Sequence, residues 1–527
     1  MKNISGIEDI LASVSASVID VQAPYPEELY ITVKEEDFLR SCVTLHKHLD
    51  SPVMALFAED ERKISGKFCL YCLFLDRVNK RWVFLCRKVC ADKGEFESIS
   101  KSVYSANLFE REIKEMFGLE PSGNPDTRSL RLHDEVWPRN YHPLRKDFLV
   151  SEEAGRVEGK YVFKRVEGEG VFEIPVGPVH AGVIGPGHFR FSVAGEPVIN
   201  LETRLGWTHR GIEKLLEGKD VLEVLKIFEC ISGDTAFAYS LAFCRSVEKI
   251  SRIEVPLRAQ VLRAFFLEIE RIYNHVNDIG GMALDVGFSF PAQFAGLIKE
   301  NILRLNKDIC GSRYLKGING IGGTSQDIDR NKLISMHSKL EKLEKDLFEL
   351  EGMLFSSTSF MDRVDATGIL RIKTARDLGI TGLAARASGI SLDLRKIFKD
   401  IYGTLSFEEA RELKGDVCAR LKIRFKEAVE SMGLIRQCLE KLGGCDAKTK
   451  TDGQKAGGFA IGFCEAWRGP ILVWTRLDPD GLIERCKIVD PSFRNWEGLS
   501  YAVLGNIVPD FPLCNKSFDL SYSGNDL

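Results

Sequence analysis

The stretch LEVLKIFECISGDTAFAYSLAFCRSVEKI, residues 222–250, decides the fold of this chain. Its apolar residues fall on nearly every side of a helix, whereas a surface helix carries them on one face only. A helix that is apolar all round belongs in the middle of a bundle. The sequence must therefore supply further helices that cover it.

Three long helical patterns follow this stretch, at 256–280, 327–355 and 406–444. The first has Pro256 near its start and Gly280 at its end, the usual punctuation of a helix. It also carries His275, which we expect to pack or to hydrogen-bond between helices. Strand patterns lie on both sides of the helices, at 176–202, 457–478 and 482–490. We expect a helical bundle with one small β element built from both ends of this part of the chain.

Residues 1–150 have a different pattern, which predicts a small α/β domain. Apolar runs at 68–75 and 83–89 indicate strands, and 105–119 indicates a short amphipathic helix. The charged, glycine-containing segment 151–170 is the best candidate for a domain boundary. We therefore predict an α+β protein with a first domain at 1–150, a linker at 151–172 and a mostly helical domain at 173–527.

Composition limits the classes of function. The chain has 527 residues, 44% hydrophobic and 28% charged, which is typical of a soluble protein with more than one domain. A net charge of −4 gives no electrostatic footprint for nucleic acid. The chain lacks an apolar run near the roughly 18–20 residues that span a bilayer, and its first residues lack a signal core. We expect no direct membrane span and a cytoplasmic location.

The 14 cysteines are scattered along the chain, which is typical of reduced thiols rather than of a disulfide framework. The tightest group is Cys69, Cys72, Cys86 and Cys90, whose spacing would permit a zinc site. All four lie in apolar strand patterns, however. We therefore favour buried strand cysteines over zinc ligands.

Three stretches carry a family resemblance. Residues 109–148, FEREIKEMFGLEPSGNPDTRSLRLHDEVWPRNYHPLRKDF, resemble the C-type peripheral subunit of respiratory complex I. Residues 176–214, VGPVHAGVIGPGHFRFSVAGEPVINLETRLGWTHRGIEK, resemble the start of its D-type subunit. They resemble even more the large subunit of membrane-bound energy-converting [NiFe] hydrogenases, as does the tail FPLCNKSFDLSYSGNDL at 511–527. The resemblance covers almost the whole chain and implies a C-type domain fused to a D-type domain.

The resemblance implies a [NiFe] centre only if four cysteines are present, in two C-x-x-C pairs. Here the first pair would fall on Ser232 and Thr235, and the second on Ser492 and Asn495 within DPSFRNW. We call these four residues the replaced site. Nickel in such a centre needs soft thiolate donors, whereas these side chains are hard and neutral. We expect no nickel and no other metal ligands.

A second departure supports the first. The hydrogenase relatives carry an acidic residue before the P-G-H of the first loop, where it serves as a proton gate. This chain has Gly185 at that position, within GVIGPGHFR. Hydrogen activation by this chain is therefore not expected.

In the complex I relatives the same cavity binds the quinone headgroup, so the resemblance implies a possible quinone pocket. His188 and Tyr239 could hydrogen-bond the two quinone oxygens and deliver protons, and Asp234 is a further candidate for proton transfer. Two features depart from complex I: the loop before His188 follows the hydrogenase pattern, and the expected tyrosine corresponds to Gly233. The other predicted pocket residues are His180, Ser232, Thr235, Arg468, Asp490, Ser492 and Asn495.

Structural interpretations of the same residues stay open. Asp234 could cap or back-bond a helical turn. Tyr239 could be a core tyrosine with its hydroxyl satisfied. Arg468, within WRGP, resembles an arginine of the hydrogenase pocket and would need Asp490 or another acid as a buried partner.

The resemblance also implies partners. These are a small iron–sulfur subunit that carries the terminal cluster, and antiporter-like membrane subunits that hold this chain at the cytoplasmic side of the inner membrane. Without a G-x-G-x-x-G loop, any use of NAD would belong to another subunit. Three hypotheses follow: a redox subunit with a quinone-type pocket, a non-catalytic coupling scaffold, and an active hydrogenase with an unusual site.

Overall fold

A computed structural model describes residues 5–13, 15–149, 155, 157–180, 182, 184–325, 327, 330–442, 447–449 and 456–527. The protein is α+β, as the sequence predicts, with a small mixed domain followed by a mostly helical one. We call these the C-type half and the D-type half.

The C-type half is built on a five-stranded sheet in the order β1-β2-β5-β4-β3, in which only the β2–β5 pair is parallel. Its strands are β1 (Val18–Tyr25), β2 (Glu28–Val33), β3 (Ala55–Glu61), β4 (Lys67–Asp76) and β5 (Arg81–Cys90). A short parallel pair follows, β6 (Glu95–Glu97) with β7 (Glu120–Ser122). The helices are α1 (Ser5–Ser13), α2 (Phe38–Leu49), α3 (Arg62–Ser65) and α4 (Asn107–Phe117).

Strands β4 and β5 are mostly apolar and are buried at almost every position because both faces of the sheet are covered. Helix α2 packs against these two strands. Aromatic contacts to Phe463 and Trp474, both in the D-type half, cover them too. This burial confirms the strand interpretation of the cysteines, since Cys69, Cys72 and Cys86 are buried in the two strands.

The D-type half has a helical core flanked by two small sheets. Its first elements are β8 (Val171–Val176), β9 (His188–Ala194), β10 (Val198–Arg204), α5 (Ile212–Leu216), α6 (Val221–Phe228), α7 (Ala236–Ile250), α8 (Leu257–Asp285), α9 (Ser289–Cys310), β11 (Asn319–Gly320) and β12 (Gly323–Thr324). Its middle elements are α10 (Arg330–Phe355), α11 (Thr358–Val364), α12 (Ile372–Leu378), α13 (Gly382–Ala387), α14 (Leu394–Ile397) and α15 (Val417–Lys441). The last are β13 (Gly458–Ala466), β14 (Gly469–Leu477), β15 (Ile483–Val489), α16 (Ser492–Ala502), α17 (Phe511–Phe518) and α18 (Tyr522–Asp526).

The structure corrects three helical predictions. Residues 222–250 form two helices, α6 and α7, separated by a break at 229–235. Helix α8 continues past Gly280, so this glycine does not end the helix. A Cβ at position 280 would lie 2.8 Å from Ala295, and the glycine lets α9 pack closely. Helix α15 starts only at Val417, where Asp416 accepts a capping hydrogen bond from the backbone of Ala419.

The single β element predicted from both ends of the D-type half is wrong. The described residues form two separate sheets there, β10-β9-β8 and β13-β14-β15, both antiparallel. The first packs on α16 through β10, and the second packs on α7 and on the sheet of the C-type half. The two sheets separate because each covers a different apolar surface.

Strand β8 begins at Val171, so the last two residues of the predicted linker 151–172 belong to a strand. Positions 151–154 and 156 of that linker lie outside the described residues. The predicted domain boundaries stay predictions.

Buried ion pairs join the two halves. Lys487 on β15 donates to Glu112 on α4 at 2.6 Å, and Arg131 pairs with the same carboxylate. Lys487 also lies 3.2 Å from Glu213 on α5. One side chain of the D-type half therefore neutralises a carboxylate in each half.

Helices α8 and α15 meet along a buried polar seam. His275 lies 2.8 Å from Glu427, which confirms the interhelix hydrogen bond expected for this histidine. Arg424 donates to Asp278 at 2.9 Å, and both side chains are completely buried. Within the described part of the chain, every helix is too short or too polar to cross a bilayer.

Candidate functional site

The replaced site lies where three chain segments converge. Ser232 and Thr235 lie in and at the end of the break between α6 and α7, with Thr235 at the N-cap of α7. Ser492 and Asn495 lie in the first turn of α16, directly after β15 and Asp490. Arg468 lies in the turn between β13 and β14. The sequence places polar side chains at these breaks, and the fold brings the breaks together.

An ion pair between Arg468 and Asp234 is the centre of this arrangement. The guanidinium donates to the two carboxylate oxygens at 3.1 and 2.8 Å. Burial raises the pKa of Asp234, but the charge and hydrogen bonds of Arg468 outweigh it and hold the pKa below its ordinary value. The sequence predicts Asp490 or another acid as the partner of Arg468; in the structure the acids that pair with it are Asp234 and, at 3.3 Å, Asp519.

The first pair of the replaced site hydrogen-bonds to this ion pair. Ser232 donates to Asp234 at 2.7 Å and Thr235 donates to the same oxygen at 2.9 Å. The Thr235 hydroxyl also accepts from Trp467 at 3.0 Å and from Arg468 at 3.2 Å. Both hydroxyls are thus oriented by the protein itself.

Ser521 connects the two pairs. Its hydroxyl lies 2.9 Å from that of Ser232, and its backbone N–H donates to Ser492 at 3.0 Å. It also caps α18 by accepting from Gly524 at 2.9 Å. The segment Asp519–Leu527, which we call the C-terminal segment, therefore bridges the positions where a metal centre would need four thiolates.

Buried contacts hold the C-terminal segment in place. Asp526 accepts hydrogen bonds from Gly206 at 2.9 Å and from the backbone and hydroxyl of Thr208 at 2.8 and 2.6 Å. His209 bonds the carbonyl oxygen of Asp526 at 2.8 Å. Arg131, from the C-type half, donates twice to the carbonyl oxygen of Asn525.

Tyr239 is a core tyrosine in this structure. It is completely buried, and its hydroxyl donates to Asp490. Burial, and then the Asp490 carboxylate, raise its pKa well above the ordinary value. A Cβ on Gly524 would lie 2.7 Å from this hydroxyl, so the C-terminal segment packs directly against it.

Asn495 and the two histidines do not join the hydrogen bonds around Arg468. Asn495 exchanges hydrogen bonds with the backbone of Thr381 at 3.1 Å. His180 lies 3.2 Å from the carbonyl oxygen of Gly185, and His188 bonds that of Gly177 at 3.0 Å. The structure therefore brings together most of the predicted residues, but it does not place His188 and Tyr239 on a common hydrogen bond.

His188 keeps one free ring nitrogen. Its Nε2 is buried and has no hydrogen-bond partner among the described residues. The ring centroid lies 5.0 Å from that of Phe163. Burial, against the bond to Gly177, lowers the pKa of this imidazole, which favours its neutral form.

The ring of Tyr522 leaves little room for a side chain at Gly185, where the hydrogenase relatives carry an acidic residue. A Cβ at this position would lie 2.6 Å from the ring of Tyr522, in the C-terminal segment. An acidic side chain would therefore require that ring to move. The same ring lies 4.8 Å from that of Trp496 on α16, measured between centroids.

The donor set does not fit a [NiFe] centre. The hydroxyls of Ser232, Thr235 and Ser492 are all engaged in hydrogen bonds within the protein, and so is the side-chain amide of Asn495. The two cysteines nearest in sequence do not rebuild the set. Burial raises the pKa of the Cys486 thiol to about 12, and Cys230 is exposed.

Sequence reasoning missed two residues of this site, Asp519 and Ser521. Both lie in the tail that carries the family resemblance, but its pattern gives no sign that it enters the site.

Comparison with known proteins defines the class. The model for the 30 kDa subunit of respiratory-chain NADH dehydrogenase matches residues 31–154, and that for the 49 kDa subunit matches 285–457. The chain is 33% identical to hydrogenase-4 component G of Escherichia coli over 528 aligned residues, which cover 98% of this chain and 92% of the relative. It is 32% identical to formate hydrogenlyase subunit 5 of the same organism, over 97% and 90% of the two chains.

A third relative matches the D-type half. The D-type subunit of the NADH-quinone oxidoreductase of Orientia tsutsugamushi is 28% identical over 391 residues, which cover 69% of this chain and 99% of the relative. The fold and the matches define a component of an oxidoreductase complex. The chain belongs to the fused C-type and D-type subunits of the complex I and energy-converting hydrogenase superfamily.

Proposed function

We propose that this chain is the large peripheral-arm subunit of a membrane-bound, complex I-like oxidoreductase, and that it works as a coupling element without a [NiFe] centre. It would lie beside the terminal iron–sulfur cluster of a small partner subunit and pass protonation or conformational change toward antiporter-like membrane subunits. The observation that carries this proposal is the bridge formed by Ser521 between Ser232 and Ser492.

The bridge supports a coupling role because it makes the site part of the folded core. The hydrogen bonds of the replaced site end on Arg468, Asp234 and the C-terminal segment. Through Arg131 and Asn525, that segment also contacts the C-type half. A change of charge at the site would thus act on both halves of the chain.

Metal analysis of the purified, assembled complex tests the proposal. We expect iron from the partner's clusters, less than stoichiometric nickel, and no hydrogen-dependent dye reduction, because these side chains are poor donors for nickel. Hydrogenase-4 of Escherichia coli, prepared in parallel, is the matched positive control. Stoichiometric nickel that copurifies with this chain would contradict the proposal and restore the hydrogenase hypothesis.

A quinone-type pocket is the second candidate function, and one observation favours it. The buried Nε2 of His188 has no partner within the described chain, and a neutral imidazole nitrogen of this kind can hydrogen-bond a quinone oxygen. Tyr239 fits less well, since its hydroxyl would have to leave Asp490. His188 alone is therefore the stronger candidate ligand.

Titration of the complex with a quinone analogue separates the two functions. If a quinone binds, His188→Ala should weaken analogue binding about tenfold, the value of one lost hydrogen bond of about 1.4 kcal/mol. Tyr239→Phe should change it little. If the complex binds no analogue, and if its turnover is unchanged when His188→Ala and Tyr239→Phe are combined, the quinone role is excluded.

A further inference from the structure

A cavity of about 750 Å³ lies between the C-type half and the D-type half. The C-type half lines it with the end of α2, the residue after β4 and the segment 101–104 that precedes α4. The D-type half lines it with α12 and with the segment 389–392, between α13 and α14. The described residues of its lining do not include the replaced site. The volume is that of a small-molecule site.

The lining of this cavity carries an excess of positive charge. When His46 is counted as neutral, four cations and two carboxylates remain: Arg77, Lys101, Arg376, Arg411, Asp50 and Asp377. Within the described part of the chain, none of the four cations forms an ion pair with an acid of the protein. Their charges are therefore available to a bound anion.

Charges that contact the lining from behind leave this excess unchanged. Two are acids: Glu409 accepts from Ser391 at 2.6 Å, and Glu497 accepts from Tyr104 at 2.7 Å. Two are cations. Lys373 lies 4.0 Å from Asp377, and Arg494 donates to the carbonyl oxygen of Val53, next to Pro52 of the lining, at 2.7 Å. The additional charges cancel, so two positive charges remain in excess.

Arg77 is the cation of this lining that is most withdrawn from water. Its guanidinium donates to the carbonyl oxygen of Ser391, in the other half, at 3.1 Å. Its Nε is buried and has no hydrogen-bond partner among the described residues. Burial lowers the pKa of Arg77 against the opposing effect of Asp50 and Glu409. A partly buried cation in this condition is stabilised by an anion beside it.

We propose that this cavity binds a small molecule with at least two anionic groups, phosphate or carboxylate, and that this ligand bridges the two halves. Guanidinium groups suit both kinds of group, because their N–H donors match two oxygens at once. The organic part of the ligand has apolar and aromatic surface in the same lining, from Ile390, Leu392 and Tyr501. The proposal goes beyond the proposed function and does not depend on it.

Calorimetric titration of the assembled complex with pyrophosphate, and separately with citrate, tests the site. At a fixed ionic strength of about 0.15 M, at least one of them should bind with a Kd below about 1 mM. Arg376→Gln combined with Arg411→Gln should weaken this binding at least about tenfold, because charge-assisted hydrogen bonds are lost. Both arginines are exposed and outside the protein's ion pairs, so this variant should fold.

The matched control removes two positive charges elsewhere. Arg139→Gln combined with Arg304→Gln replaces side chains that are 83% and 72% exposed and lie outside the described lining of the cavity. This control should keep the wild-type affinity. Equal weakening in the two double variants would overturn the site, because it would show attraction by net charge alone.

Hydrogen exchange of the same complex tests the bridge between the halves. The bound polyanion should slow exchange in residues 101–104 and in residues 389–392, since it contacts both halves. An effect confined to one of these segments would overturn the proposal. So would the absence of binding by either polyanion, which is also the result expected if a partner subunit covers the cavity.

The two probes also identify the anionic group. Tighter binding of pyrophosphate would assign a phosphate ligand, and tighter binding of citrate would assign a carboxylate ligand. Nickel in the same samples would contradict the proposed function and leave the polyanion affinity unchanged, so the failures of the two proposals are distinguishable.

Discussion

Replacing Arg468 with methionine is expected to lower the free energy of unfolding by about 1–3 kcal/mol, because the partly exposed Asp234 loses its cation while Asp519 keeps Lys516. Asp234 and Asp519 both lose a direct partner, and Thr235 loses a donor. Chemical denaturation of the purified chain or of its complex measures the change. Arg468→Lys should recover only part of it, since an ammonium cannot bond both oxygens of Asp234 in the same plane.

The pH dependence of this loss provides a check. Arg468 holds the pKa of Asp234 below its ordinary value, so the contribution of the pair is present above about pH 4 and is lost as pH falls. The difference between wild type and Arg468→Met should therefore shrink in acid. Arg363→Met, which breaks a partly exposed pair with Asp510, should have only a small effect at any pH. Equal losses in the two variants would show that burial of the Arg468 pair is not the cause.

Asp526→Ala is expected to cost about 3 kcal/mol or more, because it removes the acceptor of four hydrogen bonds in a closed environment. The N–H groups of Gly206 and Thr208 would lose their partner, as would the Thr208 hydroxyl. We expect the loss to appear as reduced thermal stability and as faster hydrogen exchange at residues 519–527. Asp365→Ala is the matched control, since its carboxylate pairs with Lys414 at the surface. Unchanged exchange in Asp526→Ala would mean that the apolar contacts of the segment are sufficient to hold it.

Local patterns predicted most elements of the fold, and tertiary contacts decided the rest. Strands β4 and β5 and helix α4 lie where apolar periodicity places them, because their own side chains fill the core. The break at 229–235 was not predicted, because flanking apolar residues continue the helical pattern through it. The break contains the polar run from Ser232 to Thr235, whose hydroxyls bond Asp234, and Thr235 is the N-cap of α7. Periodicity alone does not report such bonds.

The candidate site was also predicted in part from residue type, while tertiary contacts decided the rest. Donor chemistry at Ser232, Thr235, Ser492 and Asn495 can be judged from residue type alone. The partner of Arg468 cannot, because Asp234 lies more than 200 residues away and Asp490 is an equally acceptable acid by type. Ser521 was missed for a related reason, since a serine in a tail has no pattern that indicates burial. Whether His188 binds a quinone stays a prediction.

The contact between Gly185 and Tyr522 has a consequence for any attempt to rebuild a hydrogen-activating enzyme on this frame. Four cysteines introduced at the replaced site would still meet Ser521 and its hydrogen bonds. A carboxylate introduced at position 185 would collide with an aromatic ring that is packed on Trp496. Engineering would therefore need to change Ser521 and Tyr522 together with the five substitutions, since the side chains of these two residues meet the introduced groups.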